Sequence, residues 1–190
     1  MREKDFKKYV KREKEILEML HHPFVMQYQG CFRVESAIYI FTEFINGLEL
    51  FDALRDIGLL TLEQGIFYTA QTILMLEYLH TNSIIYRDLK PENMIVNNDG
   101  YLKLIDMGTA KILEREDQQD VCRTFTILGS PHYLAPEVLE GKGYTFTADF
   151  YSLGVVFYEF ICGCLPFGEE LDDPYAIYKV RMTCNYLPFP

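Results

Sequence analysis

Tyr86-Arg87-Asp88-Leu89-Lys90-Pro91-Glu92-Asn93 is the stretch that decides how this chain is read. A carboxylate, an ammonium and an amide fall within the six residues from Asp88 to Asn93, directly after an apolar helical segment. Phosphoryl transfer needs that combination. A carboxylate orients the attacking hydroxyl, a cation sits near the transferred phosphate, and oxygen ligands hold a divalent metal. Asp88, Lys90 and Asn93 can supply one group each. Taken singly, each is equally at home in a polar turn, where Asp and Asn bond nearby backbone.

The segments on either side give this stretch its setting. Upstream, Thr61-Leu62-Glu63-Gln64 is a capping box that predicts a helix to His80, with Ile73-Leu74-Met75-Leu76 apolar enough to be interior. Downstream, a short strand, Met94 to Asn97, an Asn98-Asp99-Gly100 turn and a second strand, Tyr101 to Ile105, put Asp106 in phase with Leu102 and Leu104 at a strand end. Residues 5 to 20 repeat Phe6, Tyr9, Val10, Ile16, Leu17 and Leu20 at helical spacing, and Glu13 falls on that apolar face, where a carboxylate needs a cation. Val25 to Phe32 and Ala37 to Phe44 flank a polar turn and read as a hairpin, with Asn46-Gly47 closing the small β region. Asp173-Pro174 reads as an N-cap followed by a first-turn proline.

The 190 residues are 49% hydrophobic and 24% charged, enough for a core in one domain or a little more. A formal net charge of −10 argues against nucleic acid or an anionic membrane surface as a partner and favours basic ones. Five cysteines, Cys31, Cys122, Cys162, Cys164 and Cys184, lack the C-x-x-C pairing of a zinc or redox site, so free thiols are expected. With no apolar leader after Met1, a cytoplasmic location is expected, the nucleus remaining open. Phe150 to Gly168 imitates a membrane span with one charge, Glu159. Gly154, Gly163 and Pro166 break the helical run, and a central Glu in lipid costs roughly 2–4 kcal/mol, so a buried helix over 146–162 is expected instead.

Asp106-Met107-Gly108 follows Asp88 after eighteen residues, and Ala135-Pro136-Glu137 follows a Thr-rich loop. In this order the elements resemble the eukaryotic protein kinases: Tyr86-Arg87-Asp88 stands where the family has His-Arg-Asp, and Asp106-Met107-Gly108 where it has Asp-Phe-Gly. The resemblance runs from the first helix to residue 190. Lys90, within Asp88-Leu89-Lys90-Pro91-Glu92-Asn93, is the serine/threonine form. The Tyr before Arg-Asp, the Gly-Tyr-Leu-Lys-Leu-Ile-Asp strand, and Gly47-Leu48-Glu49-Leu50-Phe51 with Asp106-Met107-Gly108-Thr109-Ala110-Lys111 are similar to the AGC group, and within it to cGMP-dependent kinases of protists.

That resemblance implies an α+β, protein-kinase-like fold: a truncated small β N-lobe over residues 1–44, and a mainly helical C-lobe over 45–190 that is incomplete at its C-terminus. It implies ATP and Mg2+ as cofactors, with Asp88 and Lys90 catalytic and Asn93 and Asp106 holding metal. Glu13 matches the inward Glu that pairs with the family's phosphate-gripping lysine. Thr42 falls at the back of the adenine pocket, Glu43 to Ile45 at the hinge, Ile95 below the adenine, and Glu49 at the rim of the nucleotide site. Glu49, Glu92 and Glu159, with Leu128, match positions that bind substrate, the acids meeting Arg or Lys upstream of the target Ser or Thr. Thr126 matches the activation-loop phosphosite, with Arg87 and Lys111 receiving its phosphate. Asp149 matches a structural Asp under the catalytic loop. The resemblance further implies cyclic-nucleotide-binding regulatory domains outside this chain.

Three departures stand out. No residue before Phe6 supplies a Gly-rich strand-turn-strand or the lysine partner of Glu13, and the chain stops before the helices that carry the usual arginine partner of Glu137. Met107 replaces Phe, a tolerable apolar exchange. The loop from Ile112 to Arg123 is long and acidic. The competing functional class is a catalytically inactive kinase-like scaffold or regulatory module; the presence of Asp88, Lys90, Asn93 and Asp106 together favours descent from an active enzyme.

Overall fold

Ile16, Leu17 and Leu20 are the residues with which the first helix, α1 (Glu3–Met19), and the turn after it enter the core; all three are essentially buried. The computed structural model describes residues 3–35, 37–113 and 123–184, with side chains from residue 9 onward. Phe6 therefore falls outside the described side chains. Tyr9, expected on the same buried face, is 38% exposed and lies under the Arg12 guanidinium at 5.9 Å. The helical spacing marks a face correctly, but packing on it begins only where a second layer is present.

Strands β1 (Tyr28–Val34) and β2 (Ala37–Thr42) form the predicted hairpin, with Cys31 opposite Ile40. The first strand starts later than the sequence pattern places it. Val25 is buried and makes a single parallel bridge to Leu104, and the register breaks between Tyr28 and Gly30. Phe32 stacks on Tyr39 and on Phe41, each at 5.0 Å, yet all three remain 45–48% exposed.

β3 (Gly47–Glu49) leads into α2 (Leu50–Ile57), and the capping box then opens α3 (Leu62–Thr81): the Gln64 amide donates to the Thr61 hydroxyl, and the Gln64 side chain accepts from the Thr61 N–H. Met75 and Leu76 are buried, whereas Ile73 and Leu74, expected inside with them, are 44% and 46% exposed. Four consecutive apolar residues cover more than one side of a helix, so one layer cannot bury them all.

After α3 come β4 (Ile84–Ile85), a 3-10 turn at Pro91–Asn93, β5 (Met94–Asn97), β6 (Leu102–Leu104) and β7 (Lys111–Ile112). β5 pairs with β3 on one side and β6 on the other, and β4 pairs with β7. Gly47 is required at the β3 edge, because a Cβ there would sit 2.1 Å from the Val96 carbonyl oxygen. Three helices complete the body: α4 (Pro136–Leu139), α5 (Thr147–Cys162) and α6 (Pro174–Thr183), the last capped by Asp173 as predicted.

α5 packs against α3 and buries Val156 and Phe160 completely, each contributing about 1.5–3 kcal/mol. Its burial is not all-round, since Phe150 and Gly154 face outward. None of the described helices is long and apolar enough to cross a membrane. The whole is α+β, with small antiparallel sheets and a mainly helical body.

Candidate active site

The loop that carries Asp88 is held from below by one buried carboxylate. Asp149, fully buried in the first turn of α5, accepts from the Tyr86 N–H at 2.9 Å and the Arg87 N–H at 2.8 Å, and lies 2.7 Å from His80 Nε2 at the end of α3. Arg87 has φ of +75°, where a side chain is disfavoured, and the Asp149 bond to its amide holds it there. From the other side, the Thr109 hydroxyl donates to the Tyr86 carbonyl at 3.1 Å, while Arg87 Nε donates to the Thr109 carbonyl at 2.6 Å. The β4–β7 pairing, with Ile85 opposite Lys111, brings these two segments side by side.

On this frame Asp88 is nearly buried and saturated with donors. Its Oδ1 accepts from both the Ser130 N–H and the Ser130 hydroxyl at 2.8 Å. Its Oδ2 accepts from Asn93 Nδ2 at 3.1 Å and lies 3.3 Å from Lys90 Nζ, which itself donates to Ser130 Oγ at 2.7 Å. The contacts on Oδ2 are longer than those on Oδ1. Gly129 makes the approach of Ser130 possible: its φ is +117°, and a Cβ would lie 2.4 Å from the Arg87 carbonyl oxygen.

Asn93 donates its amide N–H groups to the carbonyl and carboxylate of Asp88, which turns its Oδ1 away from them. Asp106 is exposed at the end of β6, in phase with buried Leu102 and Leu104 only up to the strand end; there its Oδ1 accepts from the Gly108 N–H at 2.7 Å. Among the described residues no cluster of three or more His, Cys, Asp and Glu could hold a metal alone. Two oxygen ligands instead suit a divalent cation that completes its shell with water and phosphate, so Asn93 and Asp106 fit Mg2+ brought in with a nucleotide.

Glu13 is half-buried, and its pKa is raised by burial and then by the charge of Asp106. Its carboxylate thus meets another carboxylate, and among the described residues no cation pairs with it. Thr42 and Ile45 are half-buried, as is Ile95, which lies across the sheet from both Glu49 and Lys103. The Glu43 side chain is a strut, bonded to Lys103 Nζ at 2.6 Å and to the Gln27 N–H at 2.9 Å, while its own N–H donates to Gln27 O. Glu49 stands apart, exposed on β3.

Glu92 and Glu159 come together. Glu159 accepts from the Tyr133 hydroxyl at 2.8 Å, and its pKa is pushed up to about 7 by burial, then by the charges of Glu92 and Glu169. Glu92 Oε2 is buried with no hydrogen-bond partner. Beside them opens a cavity of about 680 Å³ lined by Phe51, Arg55, Leu59, Glu159, Cys162 and Glu169, among others. Leu128 is half-buried two residues before Ser130.

Thr126 is exposed, with its carbonyl accepting from the Tyr144 hydroxyl at 2.5 Å. Lys111 Nζ lies 3.2 Å from the hydroxyl of Thr124, a buried residue two positions earlier, and Arg87 Nη1 and Nη2 are buried without a partner. Residues 114–122 of the acidic loop lie outside the described residues, Cys122 among them; Cys31, Cys162, Cys164 and Cys184 are not joined in disulfides.

Sequence reasoning passed over Ser130, Tyr133 and Thr109. The first two lie in Gly129-Ser130-Pro131-His132-Tyr133, whose turn-like composition was the only local signal.

The protein kinase domain family matches residues 1–186 of the chain. The cGMP-dependent protein kinase of Toxoplasma gondii is 45% identical over 182 residues, 96% of this chain and 18% of that protein. The cGMP-dependent protein kinase of Eimeria tenella is 46% identical over 182 residues, 96% of this chain and 17% of its own length. The cAMP-dependent protein kinase catalytic subunit 3 of Drosophila melanogaster is 41% identical over 171 residues, 90% of this chain and 28% of that protein. The chain thus spans less than a third of each of these relatives, and the match covers the whole constellation around Asp88. By that match, and by the α+β fold that carries it, the chain belongs to the protein kinase family.

Proposed function

We propose that this chain is part of a serine/threonine protein kinase of the cGMP-dependent type, transferring the γ-phosphoryl group of ATP to Ser or Thr preceded by basic residues. The observation that carries the proposal is the Asp88 centre: a desolvated carboxylate oriented by Ser130, Asn93 and Lys90, with Asp106 nearby. Asp88 Oδ2 orients the acceptor hydroxyl and takes its proton as the phosphoryl group leaves the nucleotide. Lys90, held between Asp88 and Ser130, places its ammonium where transition-state charge develops. Asn93 and Asp106 would hold Mg2+, which when bound would neutralise phosphate charge. With the Glu43 N–H committed to Gln27, the hinge offers adenine the Glu43 carbonyl and the Ile45 amide, between Thr42 and Ile95.

Support for a basic substrate comes from Glu92 and Glu159. Two crowded carboxylates, one with an orphaned oxygen and one with a raised pKa, are stabilised by an arriving Arg or Lys. Glu49, exposed on β3, and Leu128 are assigned to substrate by the family resemblance alone. The guanidinium of Arg87, near the Tyr144 hydroxyl, together with Lys111 on Thr124, supports a phosphate on Thr126 as the activating anion. The names of the cGMP-dependent relatives support control by cyclic-nucleotide-binding domains outside residues 1–190, and cysteines outside disulfides favour a reducing compartment, cytoplasm or nucleus.

The test uses the full-length protein with three peptides that share an Arg-rich upstream sequence or its Ala-substituted form, and carry Ser or Tyr as acceptor. Phosphorylation of the Ser peptide, none of the Tyr peptide, and a peptide KM raised about 10- to 100-fold by removing the arginines are expected, from charge-assisted contacts of about 1.5–3 kcal/mol each. Equal use of all three peptides, or no transfer to any, would overturn the reading.

A further inference from the structure

Arg181 is a deeply buried cation on α6, and the proposed phosphoryl transfer does not use it. It is 4% exposed on α6, one turn after buried Ile177, and among the described residues no carboxylate pairs with it. Its guanidinium lies between two rings, 5.8 Å from the centre of Tyr151 and 5.9 Å from that of Phe167. Nη1 donates to the Leu134 carbonyl and Nη2 to the His132 carbonyl, while Nε is buried without a partner.

A buried guanidinium without a counter-ion is costly, and an apolar residue of similar volume would serve a core at least as well. What an apolar residue cannot do is bond two carbonyls at once from a planar fork. Those carbonyls flank Tyr133. Its own carbonyl accepts from the Ser152 hydroxyl of α5 at 2.8 Å, so three successive carbonyls, 132, 133 and 134, are held from the helical side.

The other side of the same segment faces the chemistry. Ser130, which bonds Asp88 through both its N–H and its hydroxyl, accepts at its carbonyl from the Tyr133 N–H at 3.0 Å, and the Tyr133 hydroxyl donates to Glu159. The segment 130–134 is therefore a short bar, with catalytic and recognition contacts on one side and the Arg181 and Ser152 anchors on the other.

We propose that Arg181 is a positioning residue for peptide recognition: its two carbonyl bonds fix the backbone around Tyr133 and so set where Tyr133 and Glu159 meet the substrate chain. This rests on the kinase reading above, and it assigns Arg181 no contact with nucleotide, metal or the reacting atoms. Lys in its place can reach one carbonyl at a time, and Met neither.

The test compares Arg181→Met and Arg181→Lys with the wild type in the full-length protein. Steady-state kinetics on the Arg-containing Ser peptide are read beside amide hydrogen exchange. For Arg181→Met the peptide KM is expected to rise about ten-fold with kcat and the KM for MgATP within about two-fold, and Arg181→Lys to recover part of the loss. Amide exchange should quicken over residues 130–136 and stay unchanged over 147–162. A merely structural role would lower kcat with the active fraction, leave the peptide KM where it was, and spread faster exchange through α5 and α6. That result, or an unchanged peptide KM in Arg181→Met, overturns the proposal. If the wild type transfers no phosphate, the kinase reading falls and the exchange arm alone decides: acceleration confined to 130–136 supports the clamp, and none refutes it.

Discussion

Asp88 and Glu13 are both carboxylates withdrawn from solvent, and their surroundings differ in kind. Asp88 has a donor or cation at every turn, from Ser130, Asn93 and Lys90, on a loop whose backbone is itself tied to Asp149. Glu13 is half-buried, its pKa raised by burial and by Asp106, and among the described residues no cation answers it. The hairpin beside α1 tells the same story in apolar terms, with Phe32, Tyr39 and Phe41 stacked on each other yet nearly half exposed. The loop around Asp88 supplies its own counter-groups. The region of α1 and the β1–β2 hairpin presents groups that the other described residues leave unanswered.

The contrast breaks most sharply at Asp149. Asp149→Ala leaves the Tyr86 and Arg87 amides and the His80 ring without their acceptor in a dry interior and frees Arg87 from its φ of +75°. A loss of about 3–5 kcal/mol in urea unfolding is expected, with turnover abolished even in the folded fraction. A change smaller than about 1 kcal/mol would show that the catalytic loop does not depend on this frame.

Glu159 sharpens the contrast from the substrate side. Its folded pKa, about 7, lies above the ordinary value of 4.5, so the native state binds its proton more tightly than the unfolded chain. The stability this contributes is fully present below pH 4.5 and is lost as pH rises through 7. Glu159→Gln removes the ionised form and can still accept from Tyr133. It is expected to stabilise the protein at pH 8 by about 1–2 kcal/mol more than at pH 5, read by urea unfolding at both pH values. A pH-independent difference would contradict the burial argument. In the wild type, acidification below pH 7 protonates Glu159 and should raise the KM for the Arg peptide.

The smallest effect is expected at Glu13. Its raised pKa has the same sign, so Glu13→Gln should stabilise slightly above the folded pKa, by a few tenths of a kcal/mol (about 0.3) once solvent screening of a half-exposed group is counted. A clear destabilisation would reveal a cation partner for this carboxylate.

Much of the site was legible because its chemistry is contiguous: Asp88, Lys90 and Asn93 sit on one loop, and Asp106 ends the next hairpin. The capping box at Thr61 and the cap at Asp173 were legible because both ends of each bond lie within three residues. Ser130 was not legible. Its bonds to Asp88 span forty-two residues, and a serine between Gly129 and Pro131 carries no local sign of them. The same holds for Tyr133 with Glu159 and for Arg181 with the His132 and Leu134 carbonyls, all of which depend on how α5 and α6 pack. Tyr9, Ile73 and Leu74 show the converse limit: periodicity names an apolar face, and only the neighbouring layer decides how much of it is buried.

The measurement closest to the central claim is single-turnover transfer of the nucleotide γ-phosphate to a Ser peptide by the full-length protein, wild type against Asp88→Asn, with MgATP affinity determined in parallel. Asn keeps the shape and can still accept from Ser130, but it cannot take the hydroxyl proton. The transfer rate is expected to fall about 10²- to 10⁴-fold with MgATP affinity unchanged within about three-fold. Transfer at the wild-type rate in Asp88→Asn would contradict the assignment of the catalytic centre to Asp88.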